Sequence, residues 1–469
     1  MKKNFIKVTV FTVTIFSLFS CSSKKSAFEE KELKARKNSL EMYHLLEKDK
    51  AKRAEAVRNY VAGLSIEEKL SQVFMINLER DDDFYPVEWY DRTVTDSNNE
   101  TRKIKTTLIP AGYIFFGYNI SKDPRKIISF TDSIIRHAAE QNTIPPFLSI
   151  DAEGGFVNRL RGIAGPLPEN ERVSACLKNN EAYDMYSSFA KQLYSLGFNL
   201  NLAPVAEINT DSNKEFLSGR SYGTEPQVIE YCTKAVKAYQ NNKVGTVLKH
   251  FPGNTNIDPH IGLPKIDMSQ SEFEQIKKVF KDLISENPDG VLMSHAIVPA
   301  FDKDPACLSK FWISDIMRNE LKFDGIIFSD DIFMGALIDN GYSPAIASKM
   351  AIEAGINCIM ISEKKFGRWM NLLISICNED DLFLSKIEES VIKMIEFKIR
   401  HNVLKLDYDK VNDSYHVSLY TPEKMDFSDQ QREERFNEFN VEKKFNEDFY
   451  KKYFFDTATD EEKRCLYIK

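Results

Sequence analysis

Carboxylates, a lysine and two imidazoles fall at the ends of short apolar runs. Asp151 and Glu153 close one run, Lys249 and His250 a second, His295 a third, and Asp330 with Asp331 a fourth. Carboxylates serve as nucleophiles or bases, and imidazole, with an ordinary pKa of about 6.5, passes protons near neutrality. A single Asp at such a place means little, because Asp commonly caps the following helix. Four such endings are better explained by one shared site. Neither a CxxC pair nor an Asp/His cluster at metal-ligand spacing occurs, so no metal and no cofactor is expected.

The elements that must hold these residues repeat regularly. Apolar runs at 74–78, 113–117, 147–151, 200–204, 246–250, 290–295, 325–330 and 358–362 read as eight buried parallel strands. Stretches with helical periodicity follow most of them, at 124–140, 180–196, 226–241, 269–286 and 343–354. Alternating strand and helix predicts an α/β fold, a (β/α)8 barrel of the TIM type, in which all strand ends of one sense open on one face. A doubly wound open sheet would carry a Gly-rich phosphate loop after its first strand. Here Phe74-Met75-Ile76-Asn77-Leu78 runs into Glu79-Arg80-Asp81-Asp82 without a glycine.

Before residue 63 the chain is different in kind. Lys2, Lys3 and Lys7 precede an apolar stretch at 8–19, too short to span a bilayer and laid out as a signal peptide over residues 1–20. The run ends Leu18-Phe19-Ser20-Cys21 and resembles a bacterial lipoprotein signal, which implies a lipid on Cys21, membrane attachment and a place in the cell envelope. Residues 21–62, dense in Lys and Glu, read as a lipidated N-terminus and a helical spacer, or as the first helix of the globular domain. Sixty-three Lys and Arg stand against 70 Asp and Glu, a net charge of −7, and this acidic balance argues against nucleic acid as a partner. With 42% hydrophobic residues the chain can bury a large core.

Several strings resemble glycoside hydrolase family 3, in its β-N-acetylglucosaminidase branch, and occur in family order. They are Leu64-Ser65-Ile66-Glu67-Glu68-Lys69, Asp151-Ala152-Glu153-Gly154-Gly155 with Arg159, Asn201-Leu202-Ala203-Pro204-Val205, Gly219-Arg220-Ser221-Tyr222-Gly223-Thr224, Lys249-His250-Phe251-Pro252-Gly253 with Asp258-Pro259-His260, and Phe328-Ser329-Asp330-Asp331. The resemblance covers about residues 63–400, the expected barrel. It implies a retaining exo-β-N-acetylglucosaminidase that removes terminal GlcNAc from peptidoglycan fragments or chitooligosaccharides. A glycosidase or phosphorylase of other sugar specificity, or a non-catalytic glycan-binding lipoprotein, stays open.

Retention needs a carboxylate nucleophile on one side of the anomeric carbon and a proton donor near the leaving oxygen. Asp330 is the expected nucleophile, both as the family's Asp after this Ser and by strand geometry. Asp331 should point away, because side chains alternate along a strand. The resemblance assigns the proton donor to His260, paired with Asp258, and sugar binding to Asp151, Arg159, Arg220, Lys249 and His250. An alternative for Arg220 and Lys249 is a buried ion pair. His295 either touches the sugar or orients its neighbours, and Glu153 supports Asp151 or a turn. The 254–260 loop is shorter than the family's usual one and carries Pro259, so it should swing less freely. Phe156 stands where an arginine is common, and Glu207 where Asp is.

Only 69 residues follow Arg400, without a glycine. This charged, aromatic 401–469 tail should form one or two helices on the outside of the barrel, or a partner or envelope contact surface.

Overall fold

The computed structural model describes residues 46–95, 99–421 and 427–457. Residues 46–55 are helical and belong to a unit of their own; the second unit runs from residue 56 onward. The signal peptide, Cys21 and most of the 21–62 spacer lie outside the described residues.

The eight expected strands are present. They are β1 (Phe74–Ile76), β2 (Gly112–Phe115), β3 (Phe147–Ile150), β4 (Leu200–Asn201), β5 (Gly245–Phe251), β6 (Gly290–Met293), β7 (Ile326–Ser329) and β8 (Ile359–Ile361). All pair in parallel, in the order β7-β6-β5-β4-β3-β2-β1-β8. The ring closes where Phe328 bridges Cys358 and the Ser329 amide donates to Cys358 O at 3.0 Å. Every residue of these eight strands is buried, as expected of strands enclosed between a filled interior and an outer layer of helices.

Five helices match their predicted spans to within two residues at each end: α1 (Pro124–Glu140), α2 (Asn179–Ser195), α3 (Glu225–Asn241), α4 (Gln270–Ile284) and α5 (Pro344–Ala354). Two more, α6 (Gly367–Glu379) and α7 (Asp381–Arg400), follow β8. The Leu64–Lys69 string is a capping box. Ser65 Oγ accepts from the Glu68 amide, and Glu68 Oε2 from the Ser65 amide at 2.9 Å, fixing where the helix Ile66–Ser71 begins.

The barrel interior is filled by alternate strand residues, among them Met75, Ile114, Phe147, Val247, Leu292, Phe328 and Met360. Its floor is supplied by α7. Phe397 meets Phe147 edge-on at 5.6 Å, and the fully buried Lys398 donates to Gln72 Oε1 (2.6 Å) and to Pro145 O (2.7 Å). Burial pushes the Lys398 ammonium well below the usual lysine range.

Two departures from expectation concern β-structure. An antiparallel hairpin, Trp89–Thr95 with Thr101–Thr107, rises between β1 and β2. The tail opens with another, Lys405–Asp409 with Ser414–Ser418, before its single long helix α8 (Asp429–Tyr453). That helix lies against α1 and α2, as a helix on the barrel's outside was expected to. Arg432 and Arg435 grip Asp132 at 2.9 and 2.5 Å, and Lys191 reaches Glu442 at 2.8 Å.

Candidate active site

Strand parity brings the site together. On β7, Ile326 and Phe328 face the interior, so two residues on Asp330 also turns into the barrel mouth. By the same step Phe147 leads through Ser149 to Asp151, and Val247 leads to Lys249. All eight predicted residues, Asp330, His260, Asp258, Asp151, Arg159, Arg220, Lys249 and His250, line one cleft of about 740 Å³ at this face.

At its base lies a charge network. Lys249 Nζ lies 2.8 Å from Asp151 Oδ1 and 2.6 Å from Glu153 Oε1. Arg220 grips Glu153 with two bonds, 2.7 and 2.9 Å long, and Arg159 approaches Asp151 at 3.6 Å. The ion-pair and cleft-lining readings of Arg220 and Lys249 therefore hold together. Burial pushes the Glu153 carboxyl upward, but Arg220 and Lys249 outweigh it and hold it far below the usual range. Removing one partner of a buried network leaves charges uncompensated. Glu153→Ala should destabilise the barrel by roughly 3–5 kcal/mol, read from the urea midpoint at pH 7. Because its folded pKa is depressed, the contribution of Glu153 is present above the ordinary carboxylate pKa and is lost as pH falls below it, so the gap between wild type and variant should narrow in acid.

His250, reached through a cis Lys249–His250 peptide, places Nδ1 2.6 Å from Glu207 Oε1. Glu207 also accepts from the Asn254 amide (2.7 Å) and from Asn254 Nδ2 (2.9 Å). Buried as it is, Glu207 would titrate high, yet His250 and Asn254 keep it below the usual range. Its part in the site was not legible beforehand. With Nδ1 engaged, Nε2 is the His250 atom left for a ligand.

Asp330 and Asp331 separate clearly. Asp331 Oδ1 accepts from the backbone amides of Phe333 and Ser362, both at 3.0 Å, which commits it to the turn. Burial raises its pKa. Among the described residues, Asp330 accepts from the Asp331 amide alone, at 2.9 Å. Its burial is outweighed by His295, His250, that amide and Lys249, so its carboxyl titrates low and is ionised at neutral pH. His295 is fully buried and does not line the cleft. Its Nδ1 sits 3.3 Å from Cys307 Sγ, and its Nε2 has no hydrogen-bond partner among the described residues. It therefore sits behind the cleft lining, beside Cys307.

The 254–260 loop carries the second imidazole of the cleft, His260. His260 Nδ1 lies 2.7 Å from Asp258 Oδ1, and the His260 amide donates to the same oxygen at 2.9 Å. The His260 side chain is 74% exposed, so nothing blocks Nε2 from an incoming ligand. The loop is pinned on both flanks, as a short, proline-bearing loop should be. Asn256 Oδ1 accepts from the amides of Glu215 (3.0 Å) and Phe216 (3.3 Å), and the Ala336 amide donates to Pro259 O at 3.1 Å.

Comparison with known proteins identifies the family. The model of the glycosyl hydrolase family 3 N terminal domain matches residues 65–397. A protein named beta-hexosaminidase from Photobacterium profundum is 30% identical over 280 residues, covering 58% of this chain and 80% of the relative. Beta-hexosaminidase A of Pseudoalteromonas piscicida is 28% identical over 62% of this chain, which spans about half (53%) of that relative's length. A solved family 3 beta-N-acetylglucosaminidase from Paenibacillus sp. str. FPU-7 superposes with a TM-score of 0.64 at 26% identity, covering 80% of this chain and 69% of that one. With its closed eight-stranded barrel and its charged residues gathered at the strand ends, the chain belongs to glycosyl hydrolase family 3.

Proposed function

We propose that the protein is a retaining exo-β-N-acetylglucosaminidase acting on GlcNAc-terminated glycans, through a covalent glycosyl-enzyme. The observation that carries this is the ionised Asp330 sharing one cleft with the His260–Asp258 pair. In the first step an Asp330 oxygen forms an ester bond to the anomeric carbon as the glycosidic C–O bond breaks. His260 gives its Nε2 proton to the departing oxygen while Asp258 holds Nδ1. In the second step water attacks the anomeric carbon and gives its proton to Nε2. The ester bond breaks and Asp330 leaves as carboxylate. Asp151, Lys249 and His250 converge at the base of the cleft, which suits recognition of the hydroxyls of a single terminal sugar. The names of the relatives favour a hexosamine there.

A panel of aryl β-glycosides tests this, offered to the protein lacking residues 1–20. GlcNAc should be released far faster than glucose, xylose or galactose, with the β-anomer as first product. Preference for a sugar without the acetamido group, or no hydrolysis of any of them, would overturn the proposal.

We also propose export and lipidation at Cys21, supported by the Lys-rich start, the apolar stretch and the Leu18–Cys21 sequence. Cys21→Ser should release the protein from membranes or leave its signal uncleaved. Unchanged partitioning and processing would count against it.

A further inference from the structure

The outer part of the cleft bears on the leaving group, because His260 must stand beside the oxygen that departs. The residues around that position share two properties. The first is aromatic surface. Phe156, 77% exposed, projects from the turn between Ala152–Gly154 and Val157–Asn158. Phe216 lies in the helical turn to which Asn256 ties the loop, with the Arg220 guanidinium 5.4 Å from its ring centre. Both rings line the cleft.

The second property is negative charge. Seven carboxylates line the cleft against three Lys or Arg side chains. Those three, Arg159, Arg220 and Lys249, are all engaged by Asp151 or Glu153 at the base. His250 is held by Glu207 and His260 by Asp258. Near the loop the lining carboxylates are Glu215 and Asp258. An adjoining hollow of about 660 Å³ shares Glu169 with the cleft and adds Glu171 and Asp211, the latter with Lys214 at 2.8 Å. Arg161, 5.0 Å from the Phe156 ring, stands outside the lining.

We propose that the acidic, aromatic mouth selects an uncharged pyranose as leaving group and disfavours one that bears a carboxylate. This rests on the exo-glycosidase reading above and narrows its substrate class to neutral β-linked oligosaccharides of GlcNAc. Phe156 and Phe216 offer faces on which the C–H side of a sugar ring stacks. A carboxylate held there meets like charge, and Arg159, Arg220 and Lys249 each lie within ion-pair reach of Asp151 or Glu153 at the base. The interaction is partly exposed, so added salt weakens it.

Three disaccharides test the proposal: GlcNAc β-1,4-linked to GlcNAc, GlcNAc β-1,4-linked to a lactyl-ether sugar acid, and the amide of that acid. The acid and its amide differ in charge and little in size. At low salt, kcat/KM for the neutral disaccharide and for the amide should exceed that for the acid by about tenfold, which corresponds to about 1.4 kcal/mol. Raising salt to 0.5 M should shrink the gap. Phe156→Arg should close or reverse it, and Glu215→Gln should narrow it. If the acid is cleaved as fast as its amide while all three are substrates, the selectivity is wrong and the glycosidase reading survives. If none of the three, nor an aryl GlcNAc, is cleaved, both fail.

Discussion

Replacing Asp330 with Asn should remove turnover by a factor of roughly 10⁴ or more, with circular dichroism and the urea midpoint unchanged. Asparagine fills the same space and can still accept the hydrogen bond from the Asp331 amide. What disappears is the anion that must form the ester bond to the anomeric carbon. A 2-fluoro sugar with a good leaving group should trap the wild-type enzyme, and peptide mapping should find the label on Asp330 alone. Asp331, bound through Oδ1 to two backbone amides, should stay unlabelled, and Asp331→Asn should act mainly on stability. A label on Asp331 would overturn the assignment of the nucleophile.

His260→Ala should separate substrates by leaving group. A sugar or alkyl alkoxide cannot depart without a proton, so such substrates should slow by about 10²- to 10⁴-fold. Nitrophenolate leaves almost unaided, so the first step on aryl substrates should slow by less than about tenfold. The second step then limits, because nothing takes the proton from water, and azide, which needs no base, should restore part of the rate. Asp258→Ala should slow the same steps less, since the imidazole remains and only its 2.7 Å partner is lost. Equal slowing of good and poor leaving groups, without azide rescue, would make His260 a binding residue and overturn its assignment as the acid.

Much of the barrel is legible before any coordinates, because its signals are local. An apolar run such as Gly290–Met293 followed by a 3.6-residue rhythm identifies strand and helix within one stretch of chain. The strand ends then point to Asp151, Lys249 and Asp330 by parity alone. Less legible are features made by partners distant in sequence. Glu207 follows β4 with nothing beside it to say that His250 and Asn254 will close on it, 43 and 47 positions later. Likewise the role of α7 depends on the fold, which brings Phe397 and Lys398 to the barrel floor. The hairpin after β1 carries a local signal, since Trp89-Tyr90 and Thr93-Val94-Thr95 are β-formers.

The closure of the ring at Phe328 and Cys358 has a consequence for how the enzyme fails under stress. Asp330 stands two residues past that seam, where β7 meets β8 through a short run of bonds, among them Ser329 N to Cys358 O at 3.0 Å and Cys358 N to Ile327 O at 3.2 Å, while β6 and β7 share a four-residue register. Breathing of the barrel should therefore begin beside Asp330. Amide exchange at Ser329 and Cys358 should outpace exchange along β5 and β6. On heating, activity should fade several degrees before the helical signal does, so that the catalytic rate becomes the more sensitive thermometer of this fold.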